Sequence, residues 1–148
     1  MSYNNQSNQS KSKVEETIDV MDDANAYIEI IKENIEYDHY MMYSTQDKGL
    51  YDELFEVICE IVCVKHKTVK IGGDDYPYEL VKSKFLKLNS SHLEYVMECM
   101  KNTTTKITNI KAYMVTALYN APNTINHYYQ QEVQYDMYGG GWHEKGIV

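Results

Sequence analysis

Apolar residues recur along this chain at intervals of three and four, in one segment after another, and that spacing asks for helices. The clearest case lies between Lys48 and Lys65. Leu50, Leu54, Val57, Ile58, Ile61 and Val62 make one wide apolar stripe, while Asp52, Glu53, Glu56 and Glu60 fall toward the opposite side. Ile18, Met21, Ala24, Ile28 and Ile31 set a similar stripe between Val14 and Ile35, and His39 to Met42 adds a short turn of helix. Val81, Phe85 and Leu88 follow Pro77, which suits a first helical position. Ser91-His92-Leu93-Glu94 reads as a capping box, opening a helix with Leu93, Val96, Met97 and Met100 inward. Ile107, Ile110, Met114, Ala117 and Leu118 mark the next helix. It should stop near Asn120, because Pro122 disfavours helix in the residue before it. A last helix, capped by Asn123 or Thr124, places Ile125, Tyr129, Val133 and Met137 inward and ends at Gly139-Gly140-Gly141.

Each stripe must be buried against another, so the expected fold is all-α: a compact bundle of five to six helices. One piece departs from it. Thr68-Val69-Lys70-Ile71 is β-branched and alternating, and reads as a short extended segment before a turn at Gly72-Gly73-Asp74-Asp75. At 148 residues the chain is one domain's worth. Residues 1–13, rich in Asn, Gln, Ser and Lys, are expected as a flexible leader, 14–138 as the helical domain, and 139–148 as a flexible tail. No apolar run approaches the ~18 residues of a membrane span, and the first residues lack the apolar stretch of a signal peptide. The odd count of three cysteines then points to reduced thiols in the cytoplasm.

Charge is unevenly spread. The net charge is -8, and all fourteen basic residues are Lys. Without Arg the chain is poorly equipped for sequence-specific reading of duplex DNA. Residues 1–63 hold four Lys against fourteen acids, whereas residues 64–127 hold nine Lys against five. An acidic front and a basic middle can meet different partners, one protein and one nucleic acid.

Motifs of catalysis are missing. No phosphate-binding loop and no nucleophile motif occurs, and the acids lie on outward helix faces rather than as an isolated pair, so no enzyme and no cofactor are expected. Cys59, Cys63 and His66 could line one edge of the long helix, with Cys99 as a fourth ligand of the kind zinc takes. Their spacing lacks the tight C-x₂-C knuckle, and plain packing is the expectation, with no metal. Fifteen Tyr are a heavy load. Tyr113, Tyr119, Tyr128 and Tyr129 cluster around the last two helices, with Lys101, Lys106 and Lys111 leading into them. Lys on phosphate and rings on bases would make a platform for single-stranded nucleic acid.

The runs IKENIEYDHY (31–40), VKIGGDDYPYELVKSKFLKLNSSHLEYV (69–96), TTKITNIKAYMVTALYNAP (104–122) and TINHYYQQEVQYDM (124–137) resemble the C-terminal domain of replication initiator A proteins. Those are initiators of plasmids and integrative elements in Gram-positive gut anaerobes, and the likeness spans about 24–138. That domain is in turn similar to the helical domain of the primosomal proteins DnaD and DnaB, which binds single-stranded DNA and helps bring in the replicative helicase. The resemblance implies a DnaD-like bundle that recruits host replication proteins, a helicase loader or initiator, with single-strand binding as a secondary activity. The primosomal motif is a Tyr, an aliphatic residue four on, and a Trp four further. Tyr113 takes the first place, Ala117 the second, and Ala121 stands where the Trp belongs. The contact residues expected for nucleic acid or partner are therefore Lys101, Lys106, Lys111, Tyr113, Tyr119, Asn120 and Tyr128. The alternative is a structural or oligomerisation domain that uses exposed Tyr and Met as a subunit interface and touches no nucleic acid.

Overall fold

The computed structural model describes residues 21–138, with side chains as far as His127. The expected leader 1–13, the start of the first helix, the tail 139–148 and the inward Tyr129, Val133 and Met137 lie outside these described residues and side chains. Six helices and one hairpin follow in order. They are α1 (21–34), α2 (Tyr37–Tyr43), α3 (Lys48–Cys63), β1 (Thr68–Ile71), β2 (Asp74–Pro77), α4 (Tyr78–Phe85), α5 (Ser90–Asn102) and α6 (Ile110–Tyr138). The fold is a helical bundle, as the periodicity asked.

Helix α3 occupies the centre and touches α2, α4, α5 and α6. Asp47 caps it, its Oδ1 accepting from the Leu50 N–H at 3.0 Å. The buried stripe is Tyr51, Leu54, Val57, Ile58, Ile61 and Val62. Leu50 is only half-buried, and Tyr51 is the core residue the apolar count passed over. Its ring stacks on Tyr40 of α2 at 3.6 Å, 9° from parallel. Its hydroxyl donates to the carbonyl of Ile35, just past the end of α1. Tyr78 does the same for the end of α3, donating to the carbonyl of Val62. Each helix end leaves carbonyls without an intrahelical donor. Here a core tyrosine satisfies one at each of two ends.

The extended segment has a partner that the sequence reading left out. β1 pairs antiparallel with β2, Val69 opposite Tyr76 and Ile71 opposite Asp74. Gly72 and Gly73 form the two-residue turn, at φ 62° and 90°, a left-handed pair that favours glycine. β2 was hidden because Asp-Asp-Tyr-Pro is poor strand material, acceptable only at an edge. Pro77 ends this strand and is the N-cap of α4, not its first residue. Val69 and Ile71 are buried, and the Gly72 N–H donates to Thr116 Oγ1 of α6 at 2.9 Å.

The largest departure is at Pro122. Two helices were expected, with a break near Asn120; α6 instead runs unbroken through the proline. It also begins at Ile110 rather than near Ile107, because Asn109 Oδ1 accepts from the Ala112 N–H at 3.0 Å and so starts the helix there. Ile110 is 52% exposed, and the true stripe is Met114, Val115, Leu118, Ala121 and Ile125. That stripe explains the continuity. Leu118, Ala121 and Ile125 share one face across Pro122, and a break would pull Ile125 from the core, a loss of about 1.5–3 kcal/mol. Ala121 also offers the proline ring the smallest side chain to clash with. The proline still deprives the Leu118 carbonyl of its N–H donor, at a cost of about 3 kcal/mol in a helix interior. Pro122→Ala should therefore raise the free energy of urea unfolding by about 1–3 kcal/mol with helical ellipticity unchanged or higher. A drop in either quantity would show that the helix needs its proline.

Candidate functional site

Helices α5 and α6 pack along one another and leave a trough on their outer side. How α5 is started sets one wall. Its N-cap is Asn89, not Ser91: Asn89 Oδ1 accepts from the His92 N–H at 3.1 Å, and the Asn89 N–H donates to His92 Nδ1 at 3.0 Å. This is a capping box in which an imidazole takes the place of the usual Glu or Gln. Ser91 and Glu94 do not form the box expected of them. Ser90 Oγ instead donates to the Glu36 carboxylate at 3.1 Å, tying the start of α5 to the junction of α1 and α2. Glu36 stands there at φ 53°, a left-handed conformation unusual for a residue with a side chain.

With α5 started at Ser90, its outward face carries Glu94, Tyr95, Glu98 and Cys99 into the trough. Thr103 closes one end, its Oγ1 donating to the Cys99 carbonyl at 2.7 Å. Tyr113 forms the α6 wall, its hydroxyl 3.4 Å from Thr103 Oγ1. The volume is about 640 Å³, within the range of about 300–1,000 Å³ typical of ligand clefts. Asn102 Nδ2 donates to Glu98 Oε1 at 3.3 Å. Among the described residues neither Glu94 nor Glu98 forms an ion pair with a lysine.

The expected contact residues do not share one surface. Lys101 and Lys106 are exposed, at the end of α5 and in the segment before α6. Lys111 is held by Glu60 of α3, Nζ to Oε1 at 2.5 Å. Tyr113 is half-buried in the trough, and Asn120 is exposed. Tyr119 is only 8% exposed, with the Tyr76 ring edge-on at 5.3 Å and the Lys84 ammonium over its face at 4.4 Å, so no ring face is left for a base. The side chain of Tyr128 lies outside the described ones. Ala121, at the Trp place of the primosomal motif, is buried, and Ala117 is half-buried. The sequence pointed to Glu94 only as a capping residue and to Cys99 only as a candidate metal ligand, and to Tyr95 and Glu98 not at all. Their signal was present, since two of only five acids in residues 64–127 stand four apart on one helix beside a tyrosine.

Two of the thiols are held in their neutral form. Burial pushes the Cys59 thiol up to about 12, with Cys63 adding to the rise, and burial likewise raises Cys63. Cys63 Sγ contacts the Ala24 carbonyl at 3.7 Å. Among the described residues no three His, Cys, Asp or Glu side chains converge as a metal would require, and no helix is long and apolar enough to cross a membrane.

A family model described as a family of unknown function, DUF6017, matches residues 5–140. The chain belongs to that family. No curated protein and no solved structure matches it. In this DUF6017 chain the trough depends on a helix start that contains a titratable group. Burial lowers the His92 imidazole from its ordinary 6.5, and Nδ1 needs its lone pair to accept from Asn89. As pH falls below the ordinary value the unfolded chain takes up the proton first. Stability is therefore full above that value and is lost as pH falls toward the folded one. His92→Gln keeps a side-chain acceptor without the titration. Between about pH 7.5 and about pH 5.5 the melting temperature should fall less in this variant than in the parent. Equal falls would remove His92 from the acid response.

Proposed function

We propose that the chain is a non-catalytic DNA-replication module of the cytoplasm, the C-terminal domain of a plasmid-type initiator. It recruits host replication proteins, and single-strand binding is secondary. The reading starts from the resemblance to replication initiator A proteins in 104–122. One structural observation carries it further. Within that stretch Met114, Val115, Leu118 and Ala121 serve the core, whereas Tyr113 is turned into an open trough where a partner can reach it. A residue placed in a groove rather than the core is available for binding. Cysteines held as thiols by burial make poor nucleophiles, in keeping with a role by binding alone.

The nucleic-acid part narrows to two residues. With Lys111 paired to Glu60 and Tyr119 covered, Lys101 and Lys106 are the exposed cations of the expected set that form no ion pair among the described residues. Labelled single-stranded and duplex oligonucleotides, titrated with the chain at two salt concentrations, test it by fluorescence anisotropy. Preference for single strands is expected. Lys101→Ala with Lys106→Ala should weaken binding and lower the salt slope by about two, roughly one per lysine. Unchanged slopes would leave only protein recruitment, for which the assay is capture of helicase loader and initiator proteins on the immobilised chain. The second reading, an oligomerisation domain, is favoured by Met42, Tyr43, Leu80 and Ile110, each large, apolar and 44% or more exposed. A dimer by light scattering that ignores DNA and captures neither replication protein would support it.

A further inference from the structure

The α5–α6 trough has the wrong charge for DNA and the right chemistry for a guanidinium. We propose that it docks an arginine-bearing segment of a partner protein, with Glu94 and Glu98 taking the guanidinium beside the Tyr113 ring. The inference rests on the reading of the chain as a recruiting module and names the chemistry of its partner.

Four observations meet here. The trough is open along its length and large enough for several side chains. Glu94 and Glu98 stand four apart on one face of α5, an arrangement of like charges that disfavours the isolated helix. A cation from outside turns that repulsion into attraction. Tyr113 lines the facing wall, pinned near Thr103, so an aromatic surface and two carboxylates border one space. Arg suits that set better than Lys, because its planar fork can stack on a ring while bonding a carboxylate through two N–H groups. The last observation concerns the chain itself. Its 148 residues contain no Arg, so no side chain of that kind within them competes for the trough. Glu94 and Glu98 are also acids in the one basic stretch of the chain, which otherwise carries Lys in excess. A phosphate backbone would meet these two carboxylates first and be repelled.

The full chain, titrated into a fluorescein-labelled amphipathic peptide of about 14 residues, four helical turns with Leu on one face and Arg on the other, tests the proposal. Replacing every Arg by citrulline keeps the shape and removes the charge. The Arg peptide should bind and the citrulline peptide should not. Glu94→Gln with Glu98→Gln should weaken binding about tenfold. Glu29→Gln with Glu33→Gln removes the same charge from another acidic face, on α1, and should change affinity by less than about twofold. Circular dichroism confirms that each variant is folded. Equal losses in the two double variants, no loss in either, or no binding of the Arg peptide would overturn the proposal. Binding through Glu94 and Glu98 without capture of any replication protein would keep the trough and remove the recruiting role. Capture of a helicase loader equally by the parent and by the Glu94→Gln, Glu98→Gln variant would keep the role and remove the trough.

Discussion

The bundle is organised by the burial of α3. Tyr51, Leu54, Val57, Ile58, Ile61 and Val62 form one buried stripe about 140° wide, and α2, α4, α5 and α6 all contact this helix. Each side chain of Val, Ile or Leu size contributes about 1.5–3 kcal/mol when fully removed from water. All four of these neighbours are helices, so a shift of α3 would disturb four helix packings at once. Two tyrosine hydroxyls then lock ends to middles. Tyr51 of α3 reaches the Ile35 carbonyl, and Tyr78 of α4 reaches the Val62 carbonyl near the C-terminus of α3. A buried carbonyl without a donor costs about 1–3 kcal/mol, so these bonds specify where α1 and α4 sit as well as adding stability. Part of the heavy tyrosine content is therefore structural.

With one side of α5 and α6 committed to α3, their opposite side is free to carry a site. The same logic separates the residues of the 104–122 stretch. Met114, Val115, Leu118, Tyr119 and Ala121 face inward and are explained by packing. Tyr113 is not, and its neighbours across the trough are acids and an aromatic rather than apolar filler. Charge follows this division. The two lysines within α4 are spent on local contacts, Lys82 bonding the Tyr27 hydroxyl at 2.9 Å and Lys84 lying over Tyr119. Glu94 and Glu98 have no such lysine within the chain's described part.

Periodicity made the stripes of α3, α4 and α5 legible, because Leu54, Ile58, Val81, Phe85, Leu93 and Val96 obey helical spacing without interruption. It gave too little weight to aromatic core residues. Tyr51 and Tyr119 are buried although Tyr is ambiguous in any apolar count, and only tertiary partners decide between core and surface. Pro122 was read by its local rule, and the local rule lost to the stripe that continues on both sides of it. The capping box expected at Ser91 lies two residues earlier, at Asn89, because Ser-x-x-Glu has a familiar form while Asn-x-x-His does not. The trough itself depends on how two helices distant in sequence lie together, and no spacing within either helix reveals that. What the sequence did carry was its chemistry: two acids four apart, a tyrosine between them, and no arginine anywhere.

Amide hydrogen exchange across the whole chain tests the organising role of α3 most directly. If the other helices depend on it, the amides from Leu54 to Val62 exchange only through global unfolding. Their opening free energy then equals that of urea unfolding, and no other element exceeds it. Exchange from α3 at a lower free energy than from α5 or α6 would mean that the bundle holds together without its central helix, and would contradict the account.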